Sequence, residues 1–142
     1  MSEPATGAAP YALRFPPTRA GFEEGARALG ALLRDRALET DARFQVELVF
    51  EEIADNIVRH GSATGEVDVT VAFVGDEVVL TFQDDGAAFD LRERPDPPVP
   101  DSLDEARVGG LGLVLVRKVA RSVEYERTRD DRNRLTLVIP AR

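Results

Sequence analysis

The segment Gly109-Gly110-Leu111-Gly112 stands where a helix is expected to begin. Unpaired backbone N–H groups and the helix dipole make such a start a ready anion site, and phosphate is the natural guest. No Lys-Ser or Lys-Thr follows the glycines, so this is not a Walker A motif, and the strand a dinucleotide fingerprint demands does not precede it. A glycine-rich helix entry needed only for close packing remains the other reading. Asp84-Asp85-Gly86-Ala87-Ala88-Phe89-Asp90 forms the second candidate. A buried carboxylate there could accept from an exocyclic amine, while the glycine lets backbone approach a flat ligand closely. Read by itself, it is equally a plain Asp-Gly turn. Glu52 and Asn56 form the third. Four residues apart, they project from one helix face with Asp55 and Arg59 beside them, as on any solvated amphipathic face.

These residues need elements to hold them. Val46, Val49, Phe50, Ile53 and Ile57 follow a buried helical stripe, predicting a long helix from an N-cap at Thr40 or Asp41 to a stop at Gly61. Before it, Tyr11, Leu13 and Phe15 alternate as a short strand ended at Pro16-Pro17. Thr18 then caps a helix carrying Phe22, Ala26, Leu29, Leu32 and Leu33, although Gly25 and Gly30 lower its propensity. Val67 to Phe73 and Val78 to Phe82 alternate around Gly75-Asp76, an antiparallel hairpin that ends in Asp84. Residues 91–108 hold four of the nine prolines, and a loop of such length inside a compact domain calls for a functional explanation. A helix from the glycine cluster to about Ala120 follows. Strands from Val123 to Arg127 and Leu135 to Ile139 close the chain around the polar turn Arg129 to Asn133. The expected fold is an α/β (α+β) two-layer sandwich, with a mixed, mostly antiparallel sheet and three main helices on one face. Residues 1–9 read as a disordered tail and 10–142 as one domain.

Composition narrows the function. At 142 residues, the chain can bury a single sizeable core. It has no cysteine, which excludes disulfides, thiolate metal sites and a cysteine nucleophile. The first residues hold no apolar run long enough for a signal sequence or membrane span, so a cytoplasmic protein is expected. A formal net charge of −8, with basic residues scattered among acidic ones, argues against nucleic acid as a direct ligand.

The three motifs, in this order and with a long loop between the last two, resemble the nucleotide-binding boxes of a known superfamily. It holds the ATP domains of histidine kinases, gyrase, the heat-shock chaperones and mismatch-repair proteins. Within it, the chain is similar to the branch of anti-sigma factors and protein-serine kinases. Glu52 to Gly61 resembles the N-box, Asp84 to Asp90 the first glycine box and Gly109 to Leu113 the second; the likeness spans roughly Tyr11 to Ile139. It implies the Bergerat-type ATP-binding fold, with residues 91–108 as the ATP lid. By the same resemblance, Asn56 would coordinate Mg²⁺ bridging the phosphates, and Asp84 would bond the adenine amino group with Gly86 against the base. The N–H groups of Gly110, Leu111 and Gly112 would hold phosphate oxygens, and Glu52 would be the general base. Arg107 could reach the γ-phosphate, although a solvated arginine is the plainer reading. Ala88 departs from the family's usual second glycine, which raises the question of backbone freedom there. His60, the only histidine, reads as mainly structural.

The activity implied is a protein-serine/threonine kinase. It would bind a sigma factor and be released by a small antagonist protein that it phosphorylates, and the resemblance also implies a homodimer. Two alternatives stay open: a nucleotide-sensing binding module without kinase activity, and a detached ATP domain serving a phosphatase or response-regulator partner.

Overall fold

The computed structural model describes residues 10–60, 62–90, 92 and 111–141. Strand β1 (Tyr11–Phe15) is followed by helix α1 (Arg19–Asp35), and helix α2 (Thr40–His60) by the hairpin of β2 (Val67–Val74) and β3 (Glu77–Asp84). Helix α3 (Leu111–Val119), β4 (Ser122–Arg127) and β5 (Asn133–Pro140) complete the order. The strands form one sheet in the order β1-β2-β3-β5-β4, and every pairing among the described residues is antiparallel. The lid expected at 91–108, apart from Arg92, and the tail expected at 1–9 lie outside the described residues, as does the helix stop Gly61.

Helix α1 starts as expected, with Thr18 Oγ1 accepting from Gly21 N at 3.0 Å. The glycines that lower its propensity have a packing cause. A side chain at Gly25 would meet the rings of Phe15 and Phe50, so glycine lets α1 lie directly on β1 and α2. Helix α2 begins before its expected cap. Thr40 is already helical, and the Glu39 carbonyl accepts from Arg43 N at 2.9 Å, so Thr40 and Asp41 lie inside the first turn.

Alternation decides which side of the sheet faces inward. Val67, Val69 and Val71 of β2, Val78, Leu80 and Phe82 of β3, and Leu135, Leu137 and Ile139 of β5 are buried against Val46, Val49, Phe50 and Ile53 of α2. Phe50 sits between Phe15 and Phe82, with ring centroids 6.0 and 5.7 Å away, and so fastens α2 across β1 and β3. Burial of such a ring stabilises by roughly 1.5–3 kcal/mol. Because α2 packs on both β3 and β5 and α3 packs on α2, the helix carrying Glu52 and Asn56 is fixed over the end of the central strands. Among the described residues, no helix is long and apolar enough to cross a membrane.

Candidate nucleotide-binding cleft

Strand β3 buries every second residue, and the next inward position after Val78, Leu80 and Phe82 is Asp84, 6% exposed. On β5 the inward row Leu135, Leu137, Ile139, extended back by two residues, reaches Asn133, 7% exposed. The register sets these two polar residues directly opposite each other, with Arg127 opposite Asn133 on the next strand. A transverse row of three hydrogen-bonding side chains therefore crosses the sheet where its hydrophobic face ends.

The row is tightly bonded. Asp84 Oδ1 accepts from Gly86 N at 2.9 Å and from Asn133 Nδ2 at 3.1 Å. Asn133 Nδ2 also donates to Ala87 O at 2.9 Å. Its Oδ1 accepts from the Tyr125 hydroxyl, from Arg127 Nη1 and from Phe89 N. Three donors on that oxygen fix the carboxamide so that its NH₂ must face Asp84. Asp84 Oδ2 accepts no hydrogen bond among the described residues. It looks into a cleft lined by Ile53, Asn56, Ile57, Phe82 and Phe89, an apolar slot with one anchored acceptor.

The turn after β3 is tied to the segment following α2. Asp85 accepts from Thr64 N, Thr64 Oγ1 and Gly65 N, and Ser62 Oγ accepts from Ala87 N at 2.9 Å. The Thr64 backbone bond, first among these, holds the Asp85 carboxyl below its usual range. Gly86 is buried against this segment: a Cβ would lie 3.0 Å from Asp84 Oδ1 and 3.1 and 3.2 Å from the amide nitrogens of Ala63 and Ser62. The glycine is thus required by the protein's own packing as well as by any base approaching it. Ala88 is not strained. Positive φ among the described residues occurs only at Ala37, Asp131 and Gly75, so alanine fits the backbone there.

On α2, Asn56 lines the same cleft, and its Nδ2 donates back to Glu52 O at 3.1 Å, which leaves Oδ1 as its outward acceptor. Glu52 is half-buried. Burial pushes its carboxyl above the usual glutamate range, Asp55 and Glu51 add to the rise, and Arg59 opposes it. Asp55 is paired with Arg59 at 3.3 Å and Arg19 at 3.8 Å, so the polar stripe joins α2 to the start of α1. The Glu52 carboxylate rests against Gly112, the second residue of α3.

The structure therefore brings together Glu52, Asn56, Asp84, Gly86 and Gly112. Leu111 opens α3 as expected, whereas Arg107 and Gly110 lie outside the described residues. His60 closes α2. Asn133, Tyr125 and Arg127 were not among the expected site residues. Asn133 ends the expected polar turn, although the alternation of Leu135, Leu137 and Ile139 points to an inward side chain. Among the described residues, no group of three or more His, Cys, Asp or Glu side chains could hold a metal by itself.

Comparison with known proteins accords with this geometry. A model of the histidine kinase-like ATPase domain matches residues 15–139. The chain is 39% identical over 108 residues to serine/threonine-protein kinase BtrW of Bordetella bronchiseptica, covering 74% of this chain and 75% of that protein. Its fold is similar to the SiaB–SiaC complex structure from Pseudomonas aeruginosa, with a TM-score of 0.63 at 20% identity over 91% of this chain and 88% of that one. It is also similar to the RsbU and RsbW domains of Rv1364c from Mycobacterium tuberculosis, with a TM-score of 0.63 at 16% identity over 95% of this chain and 34% of that one. By the matched span and by the BtrW relative together, the chain belongs to the histidine kinase-like ATPase family, among its protein serine/threonine kinases.

Proposed function

We propose that the cleft binds ATP with its adenine against Asp84 and its phosphates between α2 and the start of α3, and that Glu52 serves the transfer of the γ-phosphoryl group. The observation that carries the reading is the Asp84 carboxylate: one oxygen is locked by Gly86 N and Asn133, and the other faces an apolar slot. An acceptor so oriented fits an exocyclic amine, and Phe82, Ile53 and Phe89 fit the faces of a flat base. The protein acts as a serine/threonine kinase of the anti-sigma-factor type in partner switching. That function draws on the family, on the kinase BtrW, and on folds similar to RsbW and SiaB.

Asn56 fits a role at Mg²⁺, because that ion keeps several waters and takes substrate phosphate with only one or two protein oxygens. When bound, Mg²⁺ would neutralise phosphate charge. The protein's own contribution is positioning, since phosphoryl transfer demands little covalent chemistry from its catalyst. Gly112 and Leu111 would present N–H groups to phosphate at the first turn of α3, and Gly110 and Arg107 would extend that surface. Glu52, its carboxyl raised above the usual glutamate range by burial, would orient the incoming hydroxyl and take its proton. The phosphorylated partner would be an anti-sigma antagonist in the cytoplasm, with a sigma factor as the alternative partner and the chain acting as a homodimer. ATP and ADP would favour different partners through differential affinity.

Calorimetric titration with ATP, with and without Mg²⁺, tests the pocket. Binding that Asp84→Asn weakens by about 10–150-fold, and whose Mg²⁺ dependence Asn56→Ala removes, is the expected result. No binding at millimolar nucleotide would overturn the reading and leave a protein-binding scaffold in its place.

A further inference from the structure

We infer that Gly112 positions Glu52: the missing side chain at 112 is what admits the glutamate carboxylate to the first turn of α3. The inference deepens the reading of Glu52 as the base and rests on it for its catalytic meaning, although the spatial relation stands by itself. An ideal Cβ at 112 would lie 2.9 Å from Glu52 Oε2, with the other oxygen and Cδ closer still. No side chain fits there while Glu52 keeps its place.

The main chains cannot move apart to make room. Ile53, next to Glu52, is buried, as are Leu113 and Val116 on α3, and the two helices pack on each other. Glycine is also a poor choice for the second residue of a helix, since alanine there would be favoured by propensity. The glycine is thus retained against local preference at the one place where a charged side chain from α2 occupies its Cβ volume. The glutamate can yield, because its carboxylate ends a flexible chain. A residue larger than glycine at 112 would therefore leave the fold in place and swing Glu52 off the start of α3 into solvent. Gly112 then has two separable duties, backbone toward phosphate and space for the base.

The groups facing Glu52 are Asp55, Glu51 and Arg59 on its own helix and Gly112 on α3. A carboxylate released to solvent becomes accessible, so its exposure reports its position. Carbon-detected NMR of ¹³C-labelled glutamate in the full chain, with a soluble paramagnetic agent added, gives that readout. In the unaltered protein, the Glu52 carboxyl is partly shielded from the agent; in Gly112→Ala, its relaxation enhancement rises to that of exposed glutamates. An unchanged enhancement at Glu52 in Gly112→Ala would overturn the inference. Should Gly112→Ala fail to fold, melting temperatures in the Glu52→Ala background decide. Equal melting of Glu52→Ala and Glu52→Ala/Gly112→Ala supports the steric coupling, and a further large loss in the double variant refutes it. Unimpaired phosphoryl transfer by Glu52→Ala would remove the base role and leave the exposure result standing, so the two failures are distinguishable.

Discussion

The two ends of the cleft are built differently. At the end proposed for the adenine base, Asp84 and Asn133 are almost fully buried, and Tyr125, Arg127, Gly86 and Phe89 converge on them with hydrogen bonds. At the end proposed for the phosphates, Glu52 and Asn56 are only partly buried, and the Asn56 side chain is tied to the Glu52 carbonyl of its own helix. The first end is rigid before a ligand arrives, because moving Asp84 would strand several buried polar groups. The second holds a carboxylate at an energetic disadvantage, kept near a helix start by packing. In the proposed reading, recognition is set by the sheet, and reactivity by how two helices meet.

The largest expected effect breaks the phosphate end alone. Glu52→Ala should lower phosphoryl transfer by about 10²–10⁴-fold, with ATP affinity nearly unchanged in calorimetry. Asp84→Asn breaks the base end instead: ATP affinity should fall by about 10–150-fold, the worth of a charge-assisted hydrogen bond. The new carboxamide oxygen can keep the bonds from Gly86 N and Asn133 Nδ2, which leaves its NH₂ in the outward position as a donor set against an exocyclic amine, so urea unfolding should change little. Asn133→Ala sharpens the contrast, because it touches no ligand in this reading. Leaving Asp84 Oδ1 and the Tyr125 hydroxyl short of a partner should cost about 1–3 kcal/mol in urea unfolding, with weaker ATP binding as the consequence.

The pH dependence separates the ends again. Glu52 has a folded pKa above its unfolded value of about 4.5, so the folded state binds more protons between the two. Its contribution to stability is therefore lost as pH rises from the ordinary glutamate range through the raised value. Glu52→Gln should accordingly melt higher than the unaltered protein at pH 7, and the advantage should vanish near pH 4 and below. Equal melting at pH 7 would mean that the carboxylate sits there without strain. Asp85 runs the other way. Its lowered carboxyl stabilises at pH values above the ordinary aspartate range, and that contribution is lost as pH falls through the folded value. The smallest expected effect is Tyr125→Phe, which deletes one of three donors to Asn133 Oδ1 and should cost about 0.5–1.5 kcal/mol in urea unfolding.

Much of this was readable along the chain. The stripe Val46, Val49, Phe50, Ile53 gave α2, and the alternation around Gly75-Asp76 gave the β2–β3 hairpin, because both periods are local properties of backbone geometry. The start of α2 was missed by one residue, since Glu39 supplies its carbonyl without the capping side chain that marks an N-terminus. Asn133 was missed as a site residue because a polar residue at the edge of a turn looks the same whether it points to water or to a buried carboxylate.

Local pattern by itself determined the helices, the strands and the order of the three boxes, since side-chain period and glycine placement act over a few residues. Only the tertiary structure decided what those boxes meet. Asp84 finds Asn133 49 residues away through the β3–β5 register, Gly86 packs on the amides after α2, and Gly112 makes room for Glu52 across a helix interface. The physical reason is that register and helix packing are settled by the whole core at once. A buried polar atom is satisfied by whichever partner that packing delivers.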